Sequence, residues 1–217
     1  MKKLKGKVAI VTGSTQGLGT GIARRLGRAG VSLVINGRNH QKGMHVLDQL
    51  NAMGVDAVFV AADLRQKHQY ETLVQRTIEH FGRLDILINN AQSVPVLTEA
   101  EHDDDAGLEI TLESGLFASL WLARAAFPWF RQAGCGRIVN FASINGVYGS
   151  KYGLAYNPAK EGVRGLTRTL ANEWGRYEIT VNTVMLSGLT PLASASLPVL
   201  HEKALRLCSS TSTRPKN

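Results

Sequence analysis

Residues 7–19 read KVAIVTGSTQGLG and are the most informative segment for the architecture of this chain. Its apolar, β-branched first half predicts a strand over Lys7–Thr12, and the pattern that follows predicts an amphipathic helix over Gly17–Ala29. Three glycines with the spacing G-x-x-x-G-x-G lie at the junction: Gly13, Gly17 and Gly19. Glycines let a backbone approach a pyrophosphate closely, and a helix N-terminus favours its negative charge. This strand–turn–helix context predicts a dinucleotide-binding loop.

The rest of the chain alternates short strands with longer amphipathic segments, which is the pattern of a parallel sheet covered by helices. Further strands are predicted at Val31–Asn36, Ala57–Ala61, Leu84–Ile88, Arg137–Phe141 and Thr180–Val184. Helices are predicted at Gln41–Met53, Lys67–Phe81, roughly Gly107–Gln132, and from near Tyr156 to about Tyr177. The fold class is therefore α/β, a doubly wound parallel sheet. We expect one domain over residues 1–208 and a polar, disordered tail over 209–217.

Composition excludes several classes of function. The net charge is +8, but the basic residues are dispersed and no nucleic-acid-binding motif accompanies them, so an anionic cofactor or substrate is favoured over nucleic acid. No apolar run approaches the roughly 20 residues of a membrane span. Two cysteines without a CxxC motif indicate a reducing compartment and a cytoplasmic location. The six histidines show no metal-ligand spacing, so no metal site is predicted.

Three residues in the second half of the chain predict the chemistry. Tyr156 and Lys160 have the i, i+4 spacing that places two side chains on one helix face. A neighbouring ammonium favours the phenolate, so the pKa of Tyr156 is expected to fall and a proton could pass to or from a substrate oxygen. Ser143 could hold the same oxygen. Pro158 lies between Tyr156 and Lys160. A proline is tolerated only in the first turn of a helix, so this helix must begin near Tyr156.

The choice of nucleotide depends on the end of the second strand, which reads Asn36-Gly37-Arg38. An acidic residue there would bind the ribose 2′-hydroxyl of NAD, whereas Arg38 offers a guanidinium to a 2′-phosphate. NADP(H) is therefore favoured over NAD(H). An alternative interpretation, in which Arg38 is only a solvent-exposed residue after a strand, remains open.

Together, Thr12–Gly19, Asp63, Asn89-Asn90-Ala91 and the Ser143, Tyr156, Lys160 set resemble the short-chain dehydrogenase/reductase family, including its 3-oxoacyl reductase-like members. The similarity covers roughly residues 5–190. It implies a Rossmann-type three-layer domain and reversible hydride transfer between NADP(H) and a carbonyl compound or secondary alcohol. It also implies that Tyr156 is the acid/base, that Lys160 binds the nicotinamide ribose, and that Ser143 orients the substrate oxygen.

The resemblance implies a set of cofactor-binding residues: Gly13, Ser14, Thr15, Gln16, Gly17, Leu18, Gly19, Arg38, Asp63, Leu64, Asn89, Ala91, Tyr156 and Lys160. Asp63 would contact the adenine, and Asn89 and Ala91 would flank the cofactor. Asn89 would also support the central strands. Two simpler interpretations stay open, in which Asn89 caps a loop and Asp63 begins the next helix.

Several positions depart from the family pattern. Gln92 replaces the last glycine of Asn-Asn-Ala-Gly, and the catalytic Asn, which holds a water beside the Lys, falls at Gly115 or Ser114. After the sixth strand one short helix is predicted over Leu197–Leu207 and no seventh strand. These departures support an alternative to an active enzyme, namely a truncated or degenerate member that binds nucleotide with little or no turnover.

The segment Leu116–Phe130 is apolar around much of its helical surface. The resemblance implies that such a helix joins subunits, so a homodimer or homotetramer is expected. The alternative is a helix buried entirely in the core of one chain.

Overall fold

A computed structural model of the chain describes residues 4–94 and 98–186. In that part, six parallel strands form one sheet with the order β3-β2-β1-β4-β5-β6. Their bounds are β1 Val8–Val11, β2 Ser32–Gly37, β3 Ala57–Ala61, β4 Ile86–Asn89, β5 Gly136–Ser143 and β6 Ile179–Leu186. The strand order reverses between β1 and β4, and ligands of such sheets bind at the carboxyl ends next to this point. The prediction of a doubly wound parallel sheet is confirmed.

The α-helices of the described part are α1 Gly17–Arg28, α2 His40–Ala52, α3 Lys67–Phe81, α4 Asp105–Leu112, α5 Ala118–Ala133, α6 Ile144–Tyr148 and α7 Tyr156–Trp174. A π-helical turn, Glu113–Phe117, joins α4 to α5. The long helix predicted over 107–132 therefore has the right extent but is not regular. The sequence analysis missed α6, because five residues are too few to show a helical period.

The central strands β1, β2 and β4 are largely apolar on both faces because helices cover both faces. Alternate residues of β1 show this: Ala9 and Val11 pack toward α1 and α2, whereas Ile10 packs toward α3, α5 and α7. All three side chains are fully buried. No described helix is both long and apolar enough to cross a membrane.

Much of the apolar surface of α5 is used within the chain. The Trp121 ring stacks on Tyr70 with centroids 5.1 Å apart, and the Phe127 ring lies 4.6 Å from that of Trp174. Phe117, at the start of this segment, stays 38% exposed. The internal contacts support the interpretation of α5 as a core helix over most of its length.

Several expectations fall on residues that the structure does not describe. They are the turn and short helix after β6, the missing seventh strand, the domain boundary at residue 208 and the polar tail.

Candidate active site

Thr12 and Asn90 fasten the glycine loop to the carboxyl end of β4. The Thr12 hydroxyl accepts hydrogen bonds from the backbone N–H groups of Asn90 (2.9 Å) and Ala91 (3.0 Å). In return, the Asn90 amide donates to the carbonyl oxygens of Thr12 (2.9 Å) and Gly13 (3.2 Å). These bonds hold the two segments at the topological switch point, where a nucleotide would lie between them. The sequence analysis quoted both residues but gave neither a role of its own.

The glycines of the loop are required by its path. Gly13 and Gly17 have φ values of 61° and 56°, in the left-handed region that side chains disfavour. At Gly19, a Cβ would collide with the Gly13 carbonyl oxygen and lie 2.8 Å from the Ser14 Cα. The loop can therefore bring its backbone close to a bound group. The Gln16 side chain makes no capping hydrogen bond to α1, so it does not occupy the helix N-terminus.

The Ser14 hydroxyl is committed inside the protein. It donates to the Val11 carbonyl (2.8 Å) and accepts from the backbone N–H of Asn36 (2.9 Å), and the residue is fully buried. Ser14 can therefore reach a cofactor only through its main chain. The same holds for Leu64, whose side chain is buried in the core beneath α3 and α5. Of the loop's other predicted cofactor-binding residues, Thr15 is half-buried, and Gln16 and Leu18 are exposed.

We expect Gly19→Ala to weaken nucleotide binding strongly, because the added Cβ would push the Gly13 carbonyl and the Ser14 backbone out of place. The measurement is the rise in melting temperature that saturating NADPH produces. Gly21→Ala is the matched control, since a Cβ at this neighbouring position of α1 meets nothing within 4 Å. The control should keep the full rise. An equal rise in both variants would contradict this role for the loop.

Ser143, Tyr156 and Lys160 come together at the carboxyl end of β5. Ser143 is its last residue, and a hydrogen bond joins its hydroxyl to Tyr156. The Lys160 Nζ lies 5.5 Å from the centroid of the Tyr156 ring and donates to the Phe141 carbonyl oxygen at 2.9 Å. Lys160 is 5% exposed and Ser143 is buried to the same degree. The three polar groups thus form one cluster at the carboxyl edge of the sheet.

The local geometry explains how Pro158 fits between Tyr156 and Lys160. α7 begins at Tyr156, so Pro158 lies in the first turn, where backbone N–H groups have no acceptor within the helix. The side chain of Asn157 also anchors the start of the helix by donating to the Ser150 carbonyl oxygen at 2.8 Å. The proline therefore costs α7 no backbone hydrogen bond.

The electrostatics of the cluster differ from the sequence-based expectation. Burial raises the pKa of Tyr156 above its ordinary value, and the hydrogen bond to Ser143 offsets only part of that rise. Burial also lowers the pKa of Lys160 to about 8. The Lys160 ammonium thus has a reduced preference for its charged form. The sequence predicted that Lys160 would lower the pKa of Tyr156. The pKa is raised instead, because burial of the phenol outweighs any effect of the cation.

Asn89 lies in a buried chain of side-chain hydrogen bonds across the sheet. Its amide nitrogen donates to the Asn140 side-chain oxygen (2.8 Å), and the Asn140 amide donates to the Thr167 hydroxyl (2.9 Å). The chain links β4, β5 and α7, and so holds the helix of Tyr156 against the strand of Ser143. Asn140 and Thr167 were missed by the sequence analysis, because nothing in their local sequence indicates a partner on another element.

Asp63 is paired with a neighbour that the sequence analysis did not consider. Hydrogen bonds from the Arg65 side chain hold the pKa of Asp63 below its ordinary value, and the charge of Arg38 acts in the same direction. The Arg65 Nε lies 3.0 Å and 3.1 Å from the two carboxylate oxygens. Asp63 therefore remains ionised, and Arg38 lies close to it at the ends of β2 and β3.

Gly37, the last residue of β2, lies against the side chain of Thr15. A Cβ on Gly37 would lie only 2.5–3.2 Å from atoms of that side chain, so an acidic residue here would have to displace Thr15. An open cavity of about 680 Å³ is lined by Thr15, His40, Gln41, Lys42, Met44, His45 and Asp48, so it contains one lysine and one carboxylate. The Lys42 Nζ donates to the Gln16 side chain at 3.2 Å, which draws a cation toward the glycine loop.

Comparisons with known proteins agree with this geometry. The family model described as short chain dehydrogenase matches residues 7–196. A 12alpha-hydroxysteroid dehydrogenase from a Clostridium species is 36% identical over 215 residues, which cover 93% of this chain and 81% of that protein. The 2-dehydro-3-deoxy-D-gluconate 5-dehydrogenase of Escherichia coli K12 is 36% identical over 184 residues, covering 83% and 71%.

A solved structure with the same fold is that of a metagenomic short-chain oxidoreductase in complex with NADP. It is 30% identical, and the match has a TM-score of 0.81 and covers 85% of this chain and 84% of the other.

Proposed function

The chain belongs to the short-chain dehydrogenase family, and we propose that it is an oxidoreductase that interconverts a carbonyl compound and a secondary alcohol with NADP(H). The observation that carries the proposal is the cluster in which Tyr156 is hydrogen-bonded to Ser143 and lies beside the Lys160 ammonium. This cluster lies at the carboxyl end of the sheet, on the same edge as the glycine loop.

The residues present fit a dinucleotide, because the loop is built to bring its backbone against a bound group and an open cavity that contains Lys42 adjoins it. The glycine loop would hold the pyrophosphate, Arg38 and Lys42 would hold a 2′-phosphate, and Lys160 would bind the nicotinamide ribose. When bound, NADPH supplies the hydride that reduces the carbonyl carbon. In that reduction, Tyr156 donates its proton to the carbonyl oxygen, which Ser143 holds in place.

The raised pKa of Tyr156 keeps the phenol neutral near pH 7. A neutral phenol is the form that donates a proton, as carbonyl reduction requires. Alcohol oxidation requires the phenolate as base, so its rate should rise with pH as Tyr156 ionises.

The preference for NADP(H) rests on Arg38, on the absence of an acidic side chain at Gly37, and on Lys42 beside the loop. The NADP in the related oxidoreductase structure supports it as well. We expect Arg38→Gln to weaken NADPH binding by about 10- to 100-fold, because a charged hydrogen bond is worth roughly 1.5–3 kcal/mol. Binding of NADH, which lacks the 2′-phosphate, should change little.

The measurement is the dissociation constant of each nucleotide by titration calorimetry. Arg76→Gln removes an exposed arginine of α3 and should leave both constants as they are. Equal losses for NADPH and NADH in Arg38→Gln would contradict the assignment of Arg38 to the 2′-phosphate.

A second candidate function is a member of the family that binds nucleotide but turns over little or no substrate. The observation that favours it is Gly115, which puts no side chain where the family pattern has its catalytic Asn. Nucleotide binding together with no reduction of any carbonyl compound would support this alternative. Nucleotide binding together with reduction would reject it.

The proposed assembly is a homodimer or homotetramer. Its support is the exposed apolar side chain of Phe117, just before α5, since Trp121 and Phe127 of that helix pack within the chain.

A further inference from the structure

The side chain of Gln92 is turned inward at the carboxyl end of β4. Its amide nitrogen donates to the carbonyl oxygens of Thr111 (2.9 Å) and Ser93 (3.0 Å), and lies 3.3 Å from the Ser114 hydroxyl. These contacts fix the orientation of the amide group. The amide oxygen, Oε1, is buried and has no hydrogen-bond partner among the residues that the structure describes. A buried oxygen of this kind normally accepts a hydrogen bond, and ordered water is the usual donor.

Gly115, in the π-helical turn, leaves the space that this amide fills. A Cβ on Gly115 would collide with Gln92 Oε1 and lie 2.8 Å from both Cδ and Nε2. The φ angle of Gly115 is not in the left-handed region, so the backbone itself would accept a side chain. The conflict with Gln92 is therefore what excludes a side chain at position 115. The two residues form a matched pair: a glutamine where the family has glycine, and a glycine where it has asparagine.

The π-helical turn is tied to the same loop by a second set of contacts. The Ser114 hydroxyl accepts from the backbone N–H of Ser93 (2.9 Å) and donates to the Ile110 carbonyl oxygen (2.7 Å). The turn also packs against the helix of the candidate acid/base, because Leu116 fills the space next to Gly162 of α7. π-helical turns inside α-helices occur frequently at functional sites.

Gln92 and the acid/base cluster follow neighbouring strands at the same edge of the sheet. Asn89, the last residue of β4, pairs with Asn140 of β5; Gln92 lies in the loop after β4, and Ser143 is the last residue of β5. Lys160 is the buried donor of this region. Among the described residues, its one hydrogen bond to a protein acceptor goes to the Phe141 carbonyl oxygen, which leaves N–H groups of the ammonium for a water.

We propose that Gln92 is a positioning residue of the active site, whose amide oxygen holds an ordered water that also accepts from the Lys160 ammonium. In this arrangement the amide comes from the loop after β4 and takes the place of a side chain on the helix at position 115. The proposal rests on the proposed reductase function. It also explains why Gly115 does not by itself indicate an inactive protein.

The test is a cycle of four proteins: wild type, Gln92→Gly, Gly115→Asn, and the double variant. Reduction of a carbonyl substrate by NADPH gives kcat and KM, and thermal unfolding gives the melting temperature. Gln92→Gly should lower kcat by about 10- to 100-fold with KM for NADPH changed little. The reason is that loss of the amide disturbs the positions of the reacting groups and leaves the nucleotide-binding residues in place. The double variant should recover most of the lost kcat, because the asparagine supplies the amide from the helix.

The stability arm does not depend on turnover. Gly115→Asn alone should lower the melting temperature by roughly 3–10 °C, because the new side chain is forced against the Gln92 amide. Adding Gln92→Gly should restore most of this loss. The matched control is Gly165→Asn, the same substitution at a position of α7 where a Cβ meets nothing within 4 Å. It should leave kcat unchanged and lower the melting temperature less.

Two results would overturn the proposal. The first is an unchanged kcat in Gln92→Gly. The second is a double variant whose kcat, or whose melting temperature, is no higher than that of the more impaired single variant. A wild-type protein that binds NADPH without reducing any carbonyl compound would instead overturn the proposed function. The melting temperatures of the four proteins would still decide whether Gln92 and Gly115 are a matched pair. If Gln92→Gly does not restore the melting temperature lost in Gly115→Asn, the two residues do not compensate for each other.

Discussion

Tyr156→Phe should lower kcat for carbonyl reduction by about 10²- to 10⁴-fold, the range expected when a general acid is removed. The substitution keeps the ring that packs beside Lys160 and removes only the hydroxyl that is hydrogen-bonded to Ser143. Nucleotide binding should persist, because the glycine loop and Arg38 lie on other elements. The measurements are steady-state kinetics with NADPH and the nucleotide-induced rise in melting temperature.

Tyr70→Phe is the matched control for this experiment. It removes a buried hydroxyl of α3 that has no hydrogen-bond partner among the described residues, and the ring would still stack on Trp121. The control should keep full activity and lose no stability. A kcat of Tyr156→Phe within a few-fold of wild type would reject Tyr156 as the proton donor.

Lys160→Met should abolish most of the activity and at the same time stabilise the protein. The ammonium is buried, and its lowered pKa, about 8 against an ordinary 10.5, means that burial opposes its charge by roughly 3 kcal/mol. Loss of the hydrogen bond to Phe141 offsets about 1 kcal/mol of the gain. The melting temperature at pH 7 should therefore rise by roughly 2–8 °C, while kcat falls at least about 100-fold.

The same substitution makes a prediction about pH. Below pH 8 Lys160 is protonated in both the folded and unfolded states, so the folded wild type carries the full cost of the buried charge. Between pH 8 and 10.5 the folded state releases the proton and the unfolded state keeps it, so the stability of the wild type rises with pH. The stability advantage of Lys160→Met should be largest below pH 8 and shrink toward pH 10.5.

Unfolding at a series of pH values measures this difference directly. A lower melting temperature for Lys160→Met at pH 7 would show that the ammonium stabilises the fold. That result would contradict the expectation that burying its charge destabilises the fold.

Sequence patterns predicted the sheet well because its central strands are largely apolar and most of the helices between strands are regular. The glycine spacing also predicted the loop, since Gly13 and Gly17 do adopt left-handed backbone and Gly19 has no room for a side chain. Tyr156 and Lys160 share a helix face, and that relation follows from their spacing alone. These features depend on local geometry, which a sequence displays.

Features that depend on packing between distant segments were not predictable. The inward orientation of the Ser14 and Leu64 side chains is set by the elements they pack against, and the sequence does not show it. The pKa of Tyr156 depends on how deeply the ring is buried, which spacing does not reveal. In the sequence, Gln92 and Gly115 each depart from the family pattern. Only their contact in the structure shows that the glutamine side chain fills the space left by the glycine.

Reduction of carbonyl compounds by the wild-type protein would establish that it is an oxidoreductase. NADPH consumption and alcohol formation would be followed together over a panel of ketones and aldehydes, with Tyr156→Phe at the same concentration. We expect at least one compound to yield one alcohol for each NADPH consumed, and Tyr156→Phe to remove this turnover. A wild-type protein whose melting temperature rises with NADPH, but which forms no alcohol from any compound of the panel, would contradict this expectation.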